Sequence, residues 1–183
     1  MTARLPYLPR EGKRFDELTV GSPWCAVAVP MTWGPRVLTT LGDLGGPVFE
    51  DPGRLHLVWP LPEGAAADWP DLTAIRVVRY GPGDELIVPA RHRTLSGMCW
   101  LWPPEEDRPY VDVTTLRRAI ETLIGPLEEA AAKGEVEVCH FCGAVTAAVV
   151  LVAWGKQESG PGWSWYACQP CAAGRGLKDV TRS

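Results

Sequence analysis

The sequence predicts an α+β protein: a small mixed or antiparallel sheet with helices, followed by a C-terminal β-hairpin module. Three observations carry this. Short β-prone runs bounded by Gly, Pro and Asp recur up to "MCWLWPP". Between Asp112 and Gly134 the apolar period lengthens to three or four residues. Near the end, two C-x-x-C pairs bracket a second β-prone hairpin. With 183 residues, 46% of them hydrophobic and 22% charged, the chain suits one ordinary domain plus a small module and can bury a sizeable core.

The chain divides into a flexible arm (1–15), an α+β domain (16–111), an amphipathic helical segment (112–134), the hairpin module (135–174) and a tail (175–183). The arm holds Arg4, Arg10, Lys13 and Arg14 among prolines, with little apolar periodicity. "WCAVAVP", ending at Pro30, reads as a buried strand with Cys25 in the core. "GPRVLTTLGDLGG" reads as a short helix, Pro35 in its first turn and Val37, Leu38 and Leu41 on one face. "PVFEDPGRLHLVWPLP" reads as a hairpin around Asp51-Pro52-Gly53, with Leu55, Leu57 and Trp59 on one side of its second strand and His56 and Val58 on the other.

"AIRVVRY", "ELIVPA" and "MCWLWPP" are three more strand candidates. If the first two pair, Arg76, Arg79, Arg91, His92 and Arg93 can gather into a phosphate-binding patch. The competing expectation is charge balancing against Asp84, Glu85, Glu105, Glu106 and Asp107. Cys99 falls in an apolar strand, buried and inert. Leu116, Ile120, Leu123 and Leu127 line an amphipathic helix that Asp112 or Thr114 can cap and Gly125-Pro126 should break in two.

Cys139, Cys142, Cys168 and Cys171 form C-x2-C-x25-C-x2-C around "TAAVVLVAW", a turn-rich loop and "WSWYAC". Four thiolates at the ends of a hairpin can converge on a tetrahedral centre, and one structural Zn2+ is the natural occupant, although four thiolates also accept iron. Two disulfides or a redox pair are the competing readings; neither explains all four cysteines in a reducing compartment. The arrangement resembles a zinc ribbon, with Gly143 shaping the first knuckle and His140 exposed on it. Trp163 and Trp165 alternate and so share a face, either packed as a seam or free to bind, with Arg175 and Lys178 following the last cysteine.

For the preceding domain, "GRLHLVWPLP" followed by "AIRVVRYGPGDELIVPARHRTLSGMCWLW" resembles the N-terminal domain of bacterial bifunctional primase-polymerases, of the archaeo-eukaryotic primase superfamily. The resemblance spans residues 20 to 105 and places His56 on the strand histidine that contacts nucleotide phosphates, with His92 on the second motif. It also implies an acidic pair on an early strand and a further acid later, to hold two divalent cations. Here the early strand carries no carboxylate and the later position carries Arg76, while Glu50 and Asp51 sit at a turn. The chain is therefore expected to keep the scaffold and lose the reaction.

No phosphate loop, dinucleotide fingerprint, nucleophile elbow or H-E-x-x-H is present. The net charge of −4 argues against a surface coated in basic residues. There is no apolar run long enough for a membrane span, and the N-terminus lacks a secretory core, which reads as cytoplasmic. The sequence thus predicts a non-catalytic, regulatory nucleic-acid binder with a structural zinc ribbon. The alternatives are a ribbon that docks a protein partner and a primase-polymerase-type nucleotidyltransferase.

Overall fold

A computed structural model describes residues 5–91, 98–157 and 162–182. Its centre is a five-stranded antiparallel sheet. The middle strands are β2 (Trp24–Pro30) and β4 (His56–Pro62), paired from Trp24↔Pro62 to Pro30↔His56. β3 (Val48–Asp51) and β7 (Trp100–Trp102) extend the sheet beyond β4, and β5 (Val78–Tyr80) extends it beyond β2, giving the order β5-β2-β4-β3-β7. Every residue of β2 is buried, as is β4 from Leu57 to Leu61. Such runs without alternation mark strands covered on both faces.

One cover is helical. α1 (Gly34–Leu41) starts with Pro35 in its first turn and buries Val37 and Leu41. Gly34 lies against the Leu57 side chain, where a β-carbon would sit 3.1 Å away, so the helix approaches β4 closely. α1 in turn packs on α2 (Val113–Ile124), whose buried residues Leu116, Ala119, Ile120 and Ile124 recur at helical spacing. Asp112 caps α2 by accepting from the Thr115 amide at 2.7 Å. Gly125-Pro126 then separates it from α3 (Leu127–Lys133), as the sequence predicts.

The hairpin around Asp51 forms, and the carboxylate accepts from the Arg54 amide at 3.1 Å, which is turn chemistry. Leu55 departs from the expected face: it takes a left-handed backbone (φ 56°), precedes β4 and is exposed, so the apolar set begins at Leu57. "AIRVVRY" also departs from a continuous strand. Thr73–Ile75 is a 3-10 turn, Arg76 ends it with φ 58°, and pairing starts only at Val78.

The pairing of "AIRVVRY" with "ELIVPA", on which a basic patch would depend, does not form. β5 pairs with β2, whereas β6 (Glu85–Pro89) pairs with β1 (Phe15–Thr19), a strand whose polar sequence FDELT hid it. Part of the stretch read as a flexible arm is an anchor: Tyr7 is fully buried, its ring beside those of Trp24, Trp100 and Tyr110 at 5.5–6.1 Å and its hydroxyl donating to the Pro109 carbonyl. Cys25 is buried as expected and donates to the Pro62 carbonyl at 2.9 Å, whereas Cys99 is only half-buried.

The C-terminal module comprises two short strands, β8 (Glu137–Val138) and β9 (Val145–Thr146), then the longer hairpin β10 (Val149–Gly155) and β11 (Trp163–Cys168), closed by α4 (Gln169–Gly174). Val136, Val138, Val145 and Ala147 pack with the main core. Val150, Ala167 and Ala172 form a separate small cluster. The root of the module thus belongs to the sheet domain, and the long hairpin stands on its own.

Candidate metal centre and its aromatic face

Two backbone devices bring the cysteines together. The first pair sits in the turn between β8 and β9, where the Gly143 amide donates to the Cys139 carbonyl and the Cys139 amide to the Ala144 carbonyl, both at 2.8 Å. Gly143 has φ 72°, the left-handed conformation that this turn requires and that glycine adopts without strain. Cys168 ends β11 and precedes α4, whose first turn carries Cys171. The His140 amide donates to the Tyr166 carbonyl at 2.8 Å and ties the first turn to β11.

All four sulfurs lie within 4.8 Å of one another, with Cys142 Sγ and Cys168 Sγ 3.7 Å apart. A tetrahedral ion with metal–sulfur bonds of about 2.3 Å needs sulfur–sulfur edges of roughly 3.8 Å, so the donor set fits one. The same separation is well beyond a disulfide bond of about 2.05 Å. Burial pushes the Cys139 thiol up, but the amides of Cys168, Cys142 and Phe141 outweigh it and hold this thiol down at about 6. Cys171, hydrogen-bonded to Cys168 and Cys142 and partly desolvated, is pushed up to about 12. Four thiolates in so small a volume repel one another, and a bound cation is what lets all of them ionise.

The hairpin above the centre presents aromatic rings to solvent. Its register pairs Gly155 with Trp163 and Ala153 with Trp165, so both indoles share one face with two small residues, while Trp154 and Ser164 lie on the other. The Trp163 and Trp165 centroids are 5.6 Å apart. His140 stacks on Trp165 at 4.2 Å with an interplanar angle of 13°. Trp163 and Trp165 are each 43% exposed, so neither ring is sealed in the interior. Arg175 lies over the Phe141 ring at 4.8 Å. Lys156, Arg175 and Lys178 are exposed and have no carboxylate within ion-pair distance among the described residues, whereas Glu135 and Glu137 both pair with Arg76.

The remaining predicted residues lie elsewhere. Arg79 donates to the Ala66 and Trp69 carbonyls at 3.2 and 2.8 Å. Arg91 is half-buried, its Nε has no partner among the described residues, and its charge acts on Tyr7. His92 and Arg93 lie outside the described residues. The strand pairing that would gather a patch from Arg79 and the 91–93 turn is absent. Asp84 accepts from the Gly81 amide at 2.7 Å. His56 has Nδ1 facing the Arg54 carbonyl at 2.5 Å and Nε2 facing the Arg76 carbonyl at 3.1 Å, so both ring nitrogens meet backbone. It lines a cavity of about 740 Å³ with Arg76, Arg79, Leu72 and Tyr80.

Two features escape sequence reasoning, and a third was missed although it leaves a trace. The Arg76–Glu137 ion pair ties the sheet domain to the metal module across 61 positions of sequence, too far for any local pattern. The His140–Trp165 stack depends on the metal turn folding back onto β11. Gly155 beneath Trp163 does leave a signal, since a glycine within a strand marks a close approach. No helix among the described residues is long and apolar enough to cross a membrane. Compared with protein-family models, curated proteins and solved structures, the chain matches none.

Proposed function

We propose that this is a non-catalytic, regulatory protein that recognises nucleic acid through a zinc-held ribbon carried on a degenerate primase-polymerase-like scaffold. The observation that carries the reading is the exposed face of Trp163, Trp165 and His140 on a module whose cations Lys156, Arg175 and Lys178 lack acidic partners among the described residues. Aromatic faces stack bases and unpaired cations draw phosphates, so local charge outweighs the acidic total. Zinc fits the closed four-sulfur set, which leaves no open position to activate water and gives the ion a structural role. Reduced thiols at the centre suit a reducing compartment such as the cytoplasm.

The non-catalytic part rests on the ligands that two-metal chemistry needs. Among the described residues, the four cysteines are the only group of three or more His, Cys, Asp or Glu placed to hold an ion. β2 carries no carboxylate, and Asp51 is occupied by its turn.

A titration of the metal-loaded protein with labelled oligonucleotides at roughly 50 and 200 mM salt tests the proposal. Binding that weakens by an order of magnitude or more over that range, as expected when several phosphates are engaged, supports it. Absence of binding at low salt contradicts it and leaves the alternative of a ribbon that docks a protein partner. Metal analysis with a visible spectrum separates one zinc per chain from coloured iron.

A further inference from the structure

We infer that Trp163, laid flat on Gly155, is the platform for one unpaired base, with Lys156 beside it for the flanking phosphate, so that the strand recognised is single. This rests on the nucleic-acid reading above and adds to it the strand state and the residue. The two indoles of the face are not equivalent. One side of the Trp165 ring is taken by His140, stacked nearly parallel. Trp163 has its inner side against the backbone of β10. A β-carbon at Gly155 would lie 2.5–2.6 Å from its Cε2, Cζ2 and Nε1 atoms, so only glycine lets the ring lie in this position. Main chain lies on one side of the ring, Trp165 is tilted against it at 5.6 Å, and the residue keeps 43% of its surface exposed, which is the area offered to a base.

The surroundings complete a site for one nucleotide. Trp154, Lys156, Gln157, Trp163 and Ser164 line a recess of about 370 Å³ at the end of the hairpin. The Lys156 ammonium there has no carboxylate within ion-pair distance among the described residues. A polymer of alternating rings and negative charges matches an exposed indole beside an ammonium that has no carboxylate partner among the described residues. Bases inside a duplex already have both faces stacked, whereas an unpaired base offers a free face to an aromatic side chain.

The test compares a labelled single-stranded 12-mer, the same strand annealed to its complement, and the same strand carrying abasic sites, all against the metal-loaded full chain. The wild type should prefer the single strand and bind the abasic strand more weakly at equal charge. Trp163→Ala should weaken single-strand binding roughly 5- to 150-fold, while Trp163→Phe retains most of it. Gly155→Ala should weaken binding although the indole is still present, with metal content unchanged. Lys156→Met should lower the log–log salt slope by about 0.7. If the wild type binds the single strand in a salt-dependent way but Trp163→Ala and Gly155→Ala bind as tightly, the platform is wrong and the broader reading stands. Equal affinity for duplex and single strand overturns the strand assignment, and failure of the wild type to bind any of the three overturns both.

Discussion

The sheet domain and the long hairpin of the ribbon solve the problem of stability in opposite ways. In the first, Trp33, Phe49, Leu57, Trp59 and Leu61 are fully buried, and one continuous cluster runs from Tyr7 to Ala147. In the second, the buried cluster is Val150, Ala167 and Ala172, while Trp154, Trp163 and Trp165 face water. A hairpin this small buries little apolar surface to offset its ordering entropy, and an ion held by the four sulfurs would supply what packing does not. The same chain puts its large aromatics inside the sheet domain and at the surface of the hairpin that ends at the four-sulfur donor set. That difference is what the proposed recognition role of the exposed indoles builds on.

The contrast predicts which changes cross from one region to the other. Cys168→Ser should have the largest effect: it removes a ligand from a site of the kind that contributes about 10–16 kcal/mol in isolated zinc modules. Metal content should fall from one ion per chain to near zero while far-UV circular dichroism keeps most of its amplitude. Trp59→Ala should act in the other region, costing about 3–5 kcal/mol in urea denaturation with metal stoichiometry unchanged in the folded protein. A metal-free Trp59→Ala protein would show that the two regions fold as one.

The Arg76–Glu137 bridge should give an intermediate effect, because it joins the two. Burial raises the Glu137 carboxyl, and Arg76 opposes that rise. Arg76→Ala leaves a buried acid without its partner and should cost about 1–3 kcal/mol, more than Glu137→Gln, which removes the charge as well. Equal losses in the two variants would mean the bridge is only a surface contact.

Asp112→Ala should give the smallest effect, about 0.5–2 kcal/mol, read from the urea midpoint. Hydrogen bonds from the Thr115 hydroxyl and amide hold the Asp112 carboxyl below its usual range. The stability it adds is therefore present above the unfolded-state value of about 3.9 and is lost as pH falls through the lower folded value. Asp112→Asn keeps the cap and should flatten this acid-side dependence.

What the sequence made legible was local. The uninterrupted apolar run of β2, the Asp-Pro-Gly turn between β3 and β4, Pro35 at the start of α1 and the break at Gly125-Pro126 each announce themselves within a few residues, and each stands in the structure. The cysteine spacing likewise foretold the cluster of sulfurs. The failures were non-local. Tyr7 lies among prolines and charges, and its partners come from positions 24, 100 and 110. Arg76 sits in a β-prone run, but its conformation is fixed at the end of a 3-10 turn, with its guanidinium on Glu137 and its carbonyl facing His56. The partners of β5 and β6 are likewise non-local: adjacency in sequence leaves open their pairing with each other, whereas β5 pairs with β2 and β6 with β1.

Amide hydrogen exchange followed by mass spectrometry, with and without a strong chelator, tests most directly whether metal stands in for a core in the ribbon. Protection should be lost on chelation across 149–155 and 163–168 and kept across 24–30 and 56–62. Uniform loss in both regions, or retention of protection in the long hairpin after the ion has been removed, would contradict the division of labour between sulfur and packing.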